Sequence, residues 1–162
     1  MTKKALLILL VGLVVLMTIS TLYAHYAENV IKTDMSDPLQ VVKARKFLME
    51  AIKDNMIALN QKLKAGKIKD VAIHGESIAA FAVVLPPLFK KTHKGVYPIK
   101  GSRTFFKGAP PDQFEKAAEK MRAAAMNVKK ASESMNQDEI KGAVQSLGAA
   151  CGGCHSAFRG KE

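Results

Sequence analysis

The sequence predicts an all-α protein: an antiparallel four-helix bundle preceded by an N-terminal export segment. Three observations carry this. Beyond residue 37, apolar residues recur near a 3.6-residue period in four stretches. Capping and breaking residues punctuate those stretches: Asp37-Pro38, Gly66, Pro86-Pro87, Pro111 and Asn136. No run alternates apolar and polar residues as a half-buried strand does. Four amphipathic helices with mostly short links and one long one bury their stripes most simply as a bundle.

The 162 residues suit one domain with a real core. Residues 1–27 stand apart from it. Lys3 and Lys4 precede an apolar run from Ala5 to Met17, which weakens through Ile19 to Ala24. A charged n-region followed by an apolar h-region is the form of a bacterial secretory signal. No A-x-A site precedes a cut, since Leu22 lies two residues before Ala24 and His25 two before Ala27. Ala5 to Ala24 also has about the 20-residue length that spans a bilayer. Residues 1–27 are therefore read as a cleaved signal or a retained membrane anchor. Either reading places the folded part in the periplasm, soluble or tethered to the inner membrane. Residues 28–37 form a polar linker.

The bundle is assigned to residues 38–162. Asp37 caps the first helix and Pro38 opens it without losing a hydrogen bond. It runs to about Lys64 and stops at Gly66. Val41, Val42, Leu48, Met49, Ile52, Met56, Leu59 and Leu63 form its stripe, and Arg45 is a charge within it. Asp70 is expected to cap a second helix, with Val71, Ile78, Phe81, Ala82 and Leu85 facing inward. Pro86-Pro87 is expected to end that helix. A long irregular connection then runs from Pro86 to Pro111, with Phe89, Tyr97, Phe105 and Phe106 as apolar anchors. The third helix spans roughly Asp112 to Met135, on a stripe of Phe114, Ala117, Ala118, Met121, Ala125 and Val128. Asn136 with Glu139 resembles a capping box for the fourth, which carries Ile140, Val144, Leu147, Cys151 and His155.

The formal charge of +11 falls to +9 once Lys3 and Lys4 are set aside. Such a field favours acidic partner proteins. The basic residues are not interleaved with aromatics, which argues against a nucleic-acid module. Neither paired carboxylates, a nucleophile triad nor a phosphate loop stands out, so the chain does not read as an enzyme.

Chemistry concentrates in Cys151-Gly152-Gly153-Cys154-His155. C-x-x-C-H is the attachment pattern of a c-type haem: two thiols form thioethers with the vinyl groups and the histidine ligates the iron. On a helix, Cys151, Cys154 and His155 share one face at i, i+3 and i+4. Gly152 and Gly153 are expected to let the ring approach the backbone. The alternatives fit less well. A zinc site wants four ligands, a thioredoxin-like pair wants a βαβ setting, and a plain disulfide needs no histidine.

From Pro38 to Lys161 the chain resembles the class II cytochromes c, cytochrome c prime and its low-spin, methionine-ligated relatives. The Arg45-Lys46-Phe47-Leu48-Met49 stretch and the segment from Cys151 to Arg159 carry the resemblance. Pro87-Leu88-Phe89 and Pro111 to Phe114 match more weakly, and the tryptophan common among relatives is missing. The resemblance implies one covalent haem c, with Arg45 hydrogen-bonding a propionate; Arg159, one turn beyond His155, is expected to shield the haem edge, guide a partner or complement the helix C-terminus. It places Met49 on the distal side of the iron. In the low-spin relatives that methionine is the sixth ligand; in cytochrome c prime proper the position is taken by leucine or an unbound methionine, and the five-coordinate iron binds nitric oxide or carbon monoxide. The expectation favoured here is a low-spin periplasmic electron carrier with His155 and Met49 as axial ligands, gas binding being the alternative. Family members include both monomers and homodimers. His74 and His93 are expected to be non-ligands, and Phe47 and Phe81 core or pocket wall.

Overall fold

The computed structural model describes residues 36–102 and 104–161; the export segment and most of the linker lie outside the described residues. Four helices make up an all-α, four-helix-bundle-like core: α1 Pro38–Lys64, α2 Val71–Leu88, α3 Pro111–Glu133 and α4 Gln137–Phe158.

Local chemistry sets most of the boundaries. The Asp37 side chain accepts from the Leu39 N–H at 2.8 Å, and Pro38 takes the first turn. At the other end Gly66 adopts φ +68°, and the Lys67 N–H returns to the Lys62 carbonyl at 2.9 Å. That left-handed residue closes α1. The Asn136 side chain accepts from the N–H groups of Asp138 and Glu139 at 3.0 and 3.4 Å. The capping box is half formed, because the Asn136 N–H goes to the Ser134 hydroxyl instead.

Two boundaries differ from expectation. Asp70 makes no side-chain cap; it ends a short 3-10 turn, Ile68–Asp70, and pairs with Lys62 at 3.3 Å. Helix α2 also runs through Pro86 and Pro87 to Leu88. Both prolines sit in the last turn, where a fixed φ near −65° is helical and only two bonds are forgone. The carbonyls left at this end find a donor in α1. Arg45 donates from Nε to the Leu88 carbonyl at 2.7 Å, from Nη1 to Thr92 at 3.2 Å, and from Nη2 to Lys91. A cation at a helix C-terminus is favourable, and each carbonyl gains a partner.

The core lies along the inner stripes: Ile52, Leu59 and Leu63 of α1, Ile78, Ala82 and Leu85 of α2, Phe114, Met121, Ala125 and Val128 of α3, and Ile140, Val144 and Leu147 of α4. Helix α1 packs on α2, α2 on α3 and α3 on α4; the backbones of α1 and α4 make no comparable contact. Neighbours run antiparallel. Arg45, early in α1, meets the end of α2, Glu76 early in α2 pairs with Lys129 late in α3, and Gln137 of α4 reaches Leu63 of α1. Phe81 packs against the core as expected, but Phe47 is 69% exposed. It lies two residues from Arg45, about 200° around a helix of 3.6 residues per turn.

Two short strands were not legible in the sequence. Thr104–Phe106, β1, pairs antiparallel with Arg159–Lys161, β2, placing Phe105 opposite Gly160. The Lys107 N–H donates to Phe158 at 2.9 Å, extending the clasp. A Cβ on Gly160 would lie 2.4 Å from Phe105 Cζ. Only glycine permits this contact.

Replacing Gly160→Ala should therefore lower the midpoint of urea unfolding, by about 1–3 kcal/mol of overpacking. Adding Phe105→Ala should return part of that loss. Arg45→Met should cost about 1–3 kcal/mol in the same assay by leaving three carbonyls without their donor.

Candidate functional site

Because α1 and α4 stand apart, a cavity of about 530 Å³ opens between them, closed on a third side by the α2–α3 connection. Helix α1 supplies Val42, Arg45, Met49, Ile52 and Met56; α2 and α3 supply Leu85, Phe114 and Met121. Cys151, Cys154, His155, Phe158 and Arg159 line the opposite wall. The fold thus brings together every residue singled out in the sequence as a haem contact. It adds Tyr97, Ser102, Thr104, Phe105 and Phe106 from the long connection. The length of this loop and its aromatic anchors were the signals that it packs on something. Nothing in its spacing marked the cavity.

The thiols are free and half-buried. Burial raises the pKa of both, and the neighbouring Cys151 adds to the shift at Cys154. They are therefore held as neutral thiols. His155 is exposed over much of its surface and sits at the cavity rim. Burial there pulls its pKa below the ordinary histidine range, and the charge of Arg159 adds to this. Both effects keep the ring neutral, the form that ligates a metal. Among the described residues no three His, Cys, Asp or Glu side chains form a metal-ion cluster, which leaves a zinc site without geometry. Gly152 and Gly153 do not line the cavity. Both are exposed, and an added Cβ would meet nothing within 4 Å, so the helix face opposite to them is the one offered.

Arg45 is 3% exposed, and burial lowers its pKa while the Tyr97 phenol raises it. Its guanidinium carbon lies 4.8 Å from the centre of the Phe89 ring and 5.5 Å from that of Phe106. Among the described residues no carboxylate pairs with it. His74 hydrogen-bonds Asn55 at 2.9 Å between α1 and α2, and His93 stands in the connection with φ +49°. Neither lines the cavity.

The donor set fits a haem c. Two thiols and an imidazole share one helical face, the pocket is largely apolar, and its size suits a cofactor of this class.

The sequence model of the family described as Cytochrome C′ matches residues 40–159. Cytochrome c′ of Pararhodospirillum photometricum is 30% identical over 127 residues, 76% of this chain and 99% of that protein. The Rhodospirillum rubrum cytochrome c′ is 27% identical over 130 residues, covering 76% and 84%. Among solved structures, a ferrous, nitric-oxide-bound variant of cytochrome c prime from Alcaligenes xylosoxidans superposes with TM-score 0.60 at 15% identity, covering 78% and 98%. Cytochrome c′ from Thermochromatium tepidum gives 0.58 at 20%, covering 77% and 98%.

These relatives are cytochromes c′, the branch whose sixth position stays open. That overturns the expectation of a low-spin electron carrier with Met49 as a ligand. Met49 lies half-buried against the hydrophobic core on the α1 wall of the cavity, where a flexible thioether fills space. Family members are non-catalytic carriers of electrons or gas. The chain belongs to the cytochrome c′ family.

Proposed function

We propose that this protein carries one covalent haem c in the α1–α4 cavity and binds nitric oxide or carbon monoxide at five-coordinate iron. The observation that carries the reading is the placement of Cys151, Cys154 and His155 along one wall of an apolar cavity. When bound, the haem supplies an iron that is redox-active and open to a small gas. Cys151 and Cys154 fix it to α4 through thioethers. His155 ligates from the α4 side, its neutral ring favoured by burial. Met49, Phe114 and Met121 keep water from the interior without competing for the metal. Arg45 faces the propionates, and Arg159 stands at the rim beside His155.

Residues 1–27 serve as the signal or anchor that delivers the bundle to the periplasm, and residues 28–37 link the two. Acidic proteins are the partner class. From Ser77 to Pro111 there is no Asp or Glu, while Lys90, Lys91, Lys94, Lys100 and Lys107 lie in or beside that connection. None of these five lysines forms an ion pair among the described residues. A second copy of the chain is a further partner. One solved relative, at 21% identity and TM-score 0.60, is described as showing ligand-controlled dimer dissociation.

Optical spectra of the ferric and ferrous protein, with and without carbon monoxide, test the reading. Broad high-spin bands that shift on adding the gas are expected. Sharp low-spin bands indifferent to it would overturn it. Met49→Leu should leave the ferrous spectrum unchanged, whereas loss of a ligating methionine would convert it from low to high spin.

A further inference from the structure

The cavity holds a buried cation without a counter-ion. Arg45 spends three N–H groups on the carbonyls of Leu88, Lys91 and Thr92 and keeps one on each terminal nitrogen. Carbonyls relieve its desolvation only in part, because a buried charge is otherwise paired with an opposite one. No chain carboxylate fills that place among the described residues. Glu50, the carboxylate on the cavity wall, is taken by Lys46 at 2.6 Å.

Tyr97 lines the same cavity as Arg45. Its phenol acts on the guanidinium, raising its pKa, and it carries one O–H to give. No acceptor for that O–H is present among the described residues. The other hydroxyls that the connection brings to this wall are already engaged: Ser102 Oγ lies 3.2 Å from Thr104 Oγ1 and 3.3 Å from the Thr104 carbonyl. Among the described residues that line the cavity, Tyr97 offers a hydroxyl whose proton is not engaged, on the cavity where a cation lacks its anion.

We propose, on the reading that the cavity holds a haem c, that Tyr97 donates its hydroxyl to a haem propionate, with Arg45 as that carboxylate's counter-charge. The thioether edge of a haem c is opposite its carboxylate edge. With Cys151 and Cys154 fixing the first to α4, the second falls to the wall that α1 and the connection build. There the pair supplies what a desolvated carboxylate requires, one neutral donor and one cation. The Leu88, Lys91 and Thr92 carbonyls hold the guanidinium at that wall. Tyr97 is thereby a positioning residue for the haem, supplied by a segment outside the four helices.

The test is Tyr97→Phe in the haem-loaded protein, which keeps the ring and removes the O–H. Resonance Raman of the ferrous form should show the propionate-bending band at lower frequency and an unmoved iron–histidine stretch. The infrared C–O stretch of the carbon monoxide complex should also stay in place. An unmoved propionate band overturns the proposal. If the C–O stretch moves without it, the phenol faces the gas instead. A parent protein without haem bands would overturn the haem reading itself, and this proposal with it.

Discussion

The geometry of the site depends on one buried guanidinium. Arg45 projects from α1 into the end of α2, where two prolines have already cost the helix its last regular bonds. By donating to three successive exits of the chain it fixes where α2 stops and how the connection departs. Phe89 and Phe106 pack against its faces, so the same group orders the aromatic cluster beside the cavity. A lysine would supply the charge but neither the plane nor the fork.

The second constraint is the spacing of the helices. Three of the four neighbouring pairs in the bundle pack backbone to backbone, and the fourth stays open. Close packing of α1 on α4 would bury more apolar surface and leave no cavity. Side chains that would have met across that seam, among them Val42, Met49, Met56 and Phe158, line a void instead. Their apolar character, which reads in sequence as ordinary core, is what makes the void suitable for a flat apolar cofactor.

Much of this was legible beforehand because it rests on local rules. The Asp37-Pro38 start, the Gly66 stop and the Asn136 cap are short-range hydrogen-bond problems with few solutions. The i, i+3, i+4 spacing of Cys151, Cys154 and His155 fixed their common face once the helix was accepted. What escaped was tertiary. Prolines usually end helices, yet Arg45 stabilises an end placed beyond Pro86 and Pro87, and its partners lie more than forty residues away. Phe47 carries the composition of a core residue at an angular position that faces solvent. Strands of three residues have no period to detect. Met49 shows the limit most clearly, because a ligating thioether and a packing thioether look alike in sequence.

The clasp between β1 and β2 has a consequence for when the site is complete. The two strands bracket α3 and α4, so their pairing closes a loop that contains both helices and the Cys151–His155 segment. A pair so short, joining segments so far apart, recovers little for the loop it closes. A join of this kind opens by local unfolding at lower cost than parting the helices. Cys151, Cys154 and His155 lie about one to two turns before that join, so its opening would reach the site through a local change after α4 instead of through loss of the fold.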